Sequence, residues 1–110
     1  MKTTLKIFLH TLPVLLMIGL IPLVLNDYLL TAIFFFISAA GLLIAGKHDF
    51  LAFVVGLIGM TIAEYLFVST GVETFERQTL FGVMPLWLPV LWGYGFVTIK
   101  RITAILSTVT

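Results

Sequence analysis

The sequence predicts an all-α fold, a polytopic bundle of four membrane-spanning helices forming a single transmembrane domain over residues 1–110. Three observations predict it. First, 61% of the residues are hydrophobic and 10% are charged, against about a quarter charged in ordinary globular domains. A soluble chain of this size buries only about two-thirds of its surface, too little to hide so much apolar area. Second, the few charges fall so as to leave four apolar runs near the ~20 residues that a helix needs to cross a bilayer. Third, those runs are continuously apolar, whereas the strands of membrane barrels alternate over about ten residues. In hydrocarbon, a continuous run satisfies its own backbone only as a helix. Intrinsic disorder is excluded by the same composition, because it needs low hydrophobicity and high charge.

The elements follow in chain order. From Ile7 to Asn26 there is no charge, and the first span is placed at about 7–25. Lys2 and Lys6 precede it as they would a signal peptide. The run is longer than a signal core, however, and no small-x-small cleavage site precedes Asn26, so a retained helix is expected. Asn26-Asp27 reads as a tight turn, with Asp27 capping a second span at about 28–46. Gly46-Lys47-His48-Asp49 reads as a glycine stop followed by an aspartate start. The third span, about 50–70, is broken only by Glu64.

The connection from Ser69 to Met84 carries Glu73, Glu76 and Arg77 among Val72, Phe75, Leu80 and Phe81. It is expected to lie on the outer surface over 71–82 as a short interfacial helix or a hairpin. In a helix, Glu73 and Arg77 would form an i,i+4 pair. The last span is placed at about 83–100. Its prolines, Pro85 and Pro89, stand four apart, so a kink at Pro89 is expected, with Pro85 able to occupy the first turn. Thr103 to Thr110 extend this helix or fray.

Orientation follows from the basic residues. With the N-terminus inside, Lys2, Lys6, Lys47, Lys100 and Arg101 face the cytoplasm and only Arg77 faces out. The expectation is a multi-pass protein of the inner (cytoplasmic) membrane with both termini cytoplasmic. Trp87, Trp92, Tyr94, Tyr28 and Tyr65 suit interfacial anchoring. A net charge of +1 and the lack of a basic stripe argue against a nucleic-acid partner. The absence of cysteine removes disulfides, thiol catalysis and thiolate metal sites.

Glu64 is the residue with chemistry to offer. A carboxyl within a span costs roughly 2.5–3.5 kcal/mol on insertion scales, and such residues usually carry function. Thr61, Glu64, Tyr65 and Val68 share one helical face. Gly56, Gly59 or Met60, and Ala63 make an adjoining small-residue face, and Gly41 and Ala45 make another on the second span. Such faces let helices approach closely, which turns Glu64 into the bundle. The candidate site is Glu64 as an acid or proton carrier, with Thr61, Tyr65, Trp87 and Trp92 around a ligand and the two tryptophans offering indole N–H donors. The alternative is that Glu64 bonds a neighbouring helix and fixes its register, or reaches the headgroup region. His10 reads as a snorkelling or backbone-bonded histidine. His10, His48 and Asp49 have no metal-ligand spacing, so no metal and no cofactor is assigned. Asp27, Glu73 and Glu76 read as solvated surface acids. Motifs for serine hydrolases, phosphate loops, zinc proteases and dinucleotide binding are missing.

From Glu64 onward the order is Glu, Ser69-Thr70-Gly71, an aromatic stretch, then Gly82-Val83-Met84-Pro85-Leu86-Trp87-Leu88-Pro89 and Trp92. Over 64–92 this resembles carotenoid-hydratase-like and small uncharacterised integral membrane proteins of bacteria and archaea. There an intramembrane Glu precedes a Gly-Val-Pro-Leu stretch that opens a Trp-bearing helix. Met84 interrupts that stretch here, and this chain is much shorter than the hydratases. The resemblance implies a shared bundle with Glu64 at a lipid- or isoprenoid-facing pocket, and it carries no catalysis across.

Three functions compete on this reading. The protein binds or acts on an apolar molecule, a lipid or isoprenoid, at Glu64. Alternatively it is a proton-coupled small-molecule transporter or exporter working as an oligomer, with Pro89 as its hinge. Or it is a non-catalytic accessory subunit of a larger membrane complex. Whether it is an enzyme stays open. The partners implied are the lipid bilayer, an apolar ligand, and a second copy or another membrane protein, since four short spans enclose little volume.

Overall fold

The computed structural model describes residues 2–43 and 48–108. Four helices follow one another: α1 (Thr3–Leu20), α2 (Asp27–Leu42), α3 (Asp49–Ser69) and α4 (Leu88–Ser107). Among the described residues there is no strand, only an isolated bridge between Leu80 and Met84. Gly46, Lys47 and Ala45 lie outside the described residues.

Local chemistry sets the helix ends, in places differently from the sequence expectation. Asn26, not Asp27, caps α2: its Oδ1 accepts from the backbone N–H of Tyr28 and Leu29 at 3.0 and 3.3 Å. Asp27 sits inside the first turn, which frees its carboxylate for tertiary contacts. At α3, His48 holds the N-cap position without a side-chain cap, and Asp49 again lies one residue in. Gly71 follows the end of α3 at φ 83°, and its N–H donates to the Val68 carbonyl at 3.1 Å. This is the left-handed stop that glycine makes easily, and it turns the chain back over the bundle.

The connection 70–87 is not an interfacial helix, so the expected i,i+4 pairing of Glu73 with Arg77 has no helix to carry it. The hairpin alternative holds in part. Phe81 and Gly82 both have positive φ, 55° and 68°, as the two central residues of a primed hairpin turn require. Leu80 N–H donates to the Met84 carbonyl at 2.8 Å across that turn. The last helix therefore starts at Leu88, five residues after the expected 83. Pro89 falls in its first turn, where no intrahelical N–H is lost and no kink arises. The proline inside a helix is Pro13 of α1, which leaves the Leu9 carbonyl without its i+4 donor. At its other end α4 runs past Lys100 and Arg101 to Ser107.

α4 is the hub, in contact with α1, α2 and α3. Its Val90, Tyr94, Val97 and Thr98 are buried, and Met17, Leu30, Phe34 and Phe53 close on it from the other helices. The α3–α4 contact depends on two glycines. A Cβ on Gly93 would stand 2.9 Å from the Phe53 carbonyl oxygen, and one on Gly56 would stand 2.6 Å from the Phe96 ring. Gly59, the other glycine of the expected close-packing face, has open space around it.

Gly93→Ala should push α3 off α4, because the obstacle is backbone. A destabilisation of about 1–3 kcal/mol is expected for such overpacking. Gly59→Ala meets nothing and should be neutral or stabilising by up to about 1 kcal/mol. Thermal unfolding followed by circular dichroism in detergent separates the two.

Candidate functional site

Three buried carboxylates define the polar structure of the bundle, and two of them are matched by cations. Asp27, at the α1–α2 corner, accepts from Arg77 Nη1 at 3.3 Å, from Thr79 Oγ1 at 2.7 Å and from Trp87 Nε1 at 3.2 Å. Arg77 also donates to the Ile21 and Val24 carbonyls at 2.8 and 3.0 Å, completing an α1 terminus that has no basic residue of its own. Trp87 lies edge-on to Phe34 with ring centroids 5.7 Å apart. The 70–87 connection is thereby tied at Arg77, Thr79 and Trp87 to one buried acid.

Asp49, at the start of α3, accepts from Lys100 Nζ at 2.7 Å and Arg101 Nε at 2.9 Å. Arg101 reaches onward to the Tyr94 hydroxyl at 3.1 Å and the Gly41 carbonyl at 2.9 Å. Gly41 has no side chain because Tyr94 fills that space. This network joins α2, α3 and α4 at the end opposite to Asp27.

Glu64 is different. It lies fifteen residues into α3 from Asp49, about 22 Å along the axis at 1.5 Å per residue, and is 7% exposed. Among the described residues no lysine or arginine is paired with it. Its neighbours are the Glu73 carboxyl and the Trp92 indole. Oε2 of Glu64 and Oε1 of Glu73 are buried with no hydrogen-bond partner. Both acids open on a cleft of about 400 Å³, walled by Val14, Ile18, Phe75, Leu88, Leu91, Trp92 and Gly95. The wall comes from α1, α3, α4 and the connection, so one copy of the chain builds the whole cleft.

The expected site residues are thus divided. Trp92 stands beside Glu64. Trp87 is committed to Asp27. Tyr65 is half exposed on the outer surface of α3. Thr61 donates to the Leu57 carbonyl at 2.5 Å in its own helix and lines a separate, largely apolar groove of about 450 Å³ between α2, α3, the hairpin tip and the start of α4. Glu73, expected as a solvated surface acid, instead comes to Glu64 from nine residues away. The available signal was Gly71, a helix stop that reverses the chain toward the face it has just left. Asp49 is held by Lys100 and Arg101, which leaves no His10–His48–Asp49 metal set; among the described residues no group of metal-binding side chains gathers.

Comparison with protein-family models, curated proteins and solved structures finds no match to this chain. The functional reading therefore stands on the geometry alone.

Asp27 and Glu64 should respond differently to neutralisation. Asp27→Ala takes the counter-charge from the half-buried Arg77, which keeps only the Ile21 and Val24 carbonyls, and leaves the Trp87 indole N–H without its acceptor, at an expected cost of about 3 kcal/mol. Adding Arg77→Met should restore part of that loss. Glu64→Gln supplies an amide that can donate to Glu73 and accept from Trp92, so its unfolding midpoint should equal or exceed that of the unaltered protein. Chemical unfolding in detergent reads all three variants.

Proposed function

We propose that this is a four-span membrane protein that binds an apolar molecule, of lipid or isoprenoid type, in the cleft at Glu64 and Glu73. The observation that carries the reading is the pair of buried, unpartnered carboxyl oxygens opening on a cavity otherwise lined by hydrocarbon and aromatic surface. A buried polar atom left without a partner is costly, and an unmatched acid within a span usually serves function rather than packing. The cavity of about 400 Å³ falls within the ~300–1,000 Å³ typical of small-molecule sites.

Membrane residence is supported by how the apolar helices are used. α1 and α3 are long and apolar enough to cross a bilayer, yet only 6% and 17% of their spans are buried within the protein. The core helix of a soluble protein would be mostly covered. Here Leu12, Leu16, Phe36, Ile58, Ile62 and Phe67 stand exposed, which in water would be a strong drive to aggregate. The α2 helix is apolar but shorter, and α4 carries its two charges toward its C-terminal end, on Asp49. Lys2, Lys6, His48, Lys100 and Arg101 gather at one end of the bundle and Arg77 stands at the other, which favours cytoplasmic termini by the positive-inside rule.

Two measurements test this reading. The chain has no cysteine, so single-cysteine variants give clean labels. An impermeant maleimide should label Thr70→Cys in intact cells, and Thr108→Cys only after lysis; the reverse pattern rejects the orientation. For the cleft, Gly95 lines it and a Cβ there meets nothing within 4 Å. Gly95→Leu should therefore fill the cavity without disturbing the fold. Mass spectrometry of protein extracted in mild detergent should detect an apolar molecule on the unaltered chain, reduced at least tenfold in Gly95→Leu. Equal recovery from both proteins rejects the cleft.

A further inference from the structure

The character of the cleft narrows the ligand class, an inference that rests on the cleft being a ligand site. Its polar end consists of two facing acids, Glu64 and Glu73, and its lining contains no lysine or arginine. The nearest side-chain cation of the outer end, Arg77, is consumed by Asp27 and two backbone carbonyls. Glu64 is more than nine-tenths buried, and its Oε2 has no donor. Two like-charged acids in a poorly hydrated site call for a positive counter-charge, and two partnerless acceptor oxygens call for N–H donors. Among the described residues no lysine or arginine meets the first demand, and the Trp92 indole beside Glu64 meets the second only in part.

We propose that the cleft takes a single-chain lipophilic primary amine. Its ammonium would lie between Glu64 and Glu73, and its hydrocarbon would run along Val14, Ile18, Leu88 and Leu91. Alternative head groups fit less well. A hydroxyl offers one donor and no charge. A quaternary ammonium brings charge but no N–H, so both oxygens stay unpartnered. An aminolipid carrying a phosphate would place an anion beside two carboxyls.

The test is native mass spectrometry on the full chain released from neutral-lipid nanodiscs, titrated with decylammonium, decyltrimethylammonium and decanol. The expected order of half-occupancy has decylammonium tightest by at least tenfold. Glu73→Gln lies on the connection rather than in a helix, so the helices should tolerate it. It should weaken decylammonium at least tenfold and decanol about twofold or less. Glu64→Gln should do the same. Gly95→Leu should abolish all binding. If decanol binds as tightly as decylammonium and both are lost in Gly95→Leu, the cleft stands and the amine proposal is overturned. A trimethylammonium ligand binding as tightly as the primary amine also overturns it. If no probe shows binding that Gly95→Leu removes, both the cleft and the amine fall together.

Discussion

The carboxylate of Asp27 holds the arrangement on which the rest depends. A buried carboxylate is expensive to desolvate, by several kcal/mol even after relaxation, and only dense hydrogen bonding offsets that. Asp27 obtains it from three side chains of the connection 70–87, fifty to sixty residues further along the chain. The connection is thus fixed at its far end by Asp27 and at its near end by the left-handed turn at Gly71. Between those points it has little freedom, and the segment that crosses the top of α3 and α4 contains Glu73 and Phe75. Asp27 touches nothing in the cleft, yet it determines where one wall and one acid of the cleft stand.

The same chain also shows what a structural acid looks like. Asp27 and Asp49 sit at opposite ends of the bundle, each in the first turn of a helix, Asp27 matched by an arginine with two neutral donors and Asp49 by a lysine and an arginine. Glu64 sits between those ends, is as well buried as Asp27, and has a second acid for a neighbour where the others have an arginine or lysine. A bundle that matches two buried acids so fully could have matched the third by the same means. Leaving it unmatched gives up stability, and stability surrendered locally is the usual mark of a site shaped by activity.

What was legible in the sequence follows from the range of the interactions. The four apolar runs and the burial of Glu64 depend on neighbours a few residues apart, and the residue pattern carries them. The close approach of α3 to α4 was half legible: Gly56 was read as a packing position, but Gly93, where the backbones come nearest, was hidden within an aromatic stretch. The start of α4 was misplaced because Pro85 and Pro89 read as helical punctuation at four-residue spacing. In fact the hairpin at Phe81-Gly82 uses up that stretch, and only Pro89 enters the helix. Asp27 and Asp49 look like caps in the sequence because a first-turn aspartate satisfies the capping pattern equally well, whereas their partners lie about fifty residues away. Tertiary ion pairing at that separation leaves no periodic trace.

The placement of Glu73 has a thermodynamic consequence. Its segment is held by polar contacts at Arg77 and Thr79 and by Gly71, while the middle contributes Phe75 to the core and a like charge to Glu64. Like charges held together oppose closure of the connection over α3, whereas burial of Phe75 and the Asp27 contacts favour it. A cation bound between the acids reverses the sign of the unfavourable contribution, so binding and closure must favour each other by equal amounts, as linkage requires. On the proposed binding, the connection is the element expected to differ between empty and filled states. The helices beneath it are locked by ionic clamps at both ends and by the tight contact at Gly93. The chain thus confines its adaptable part to the residues that lie directly over the unmatched acid.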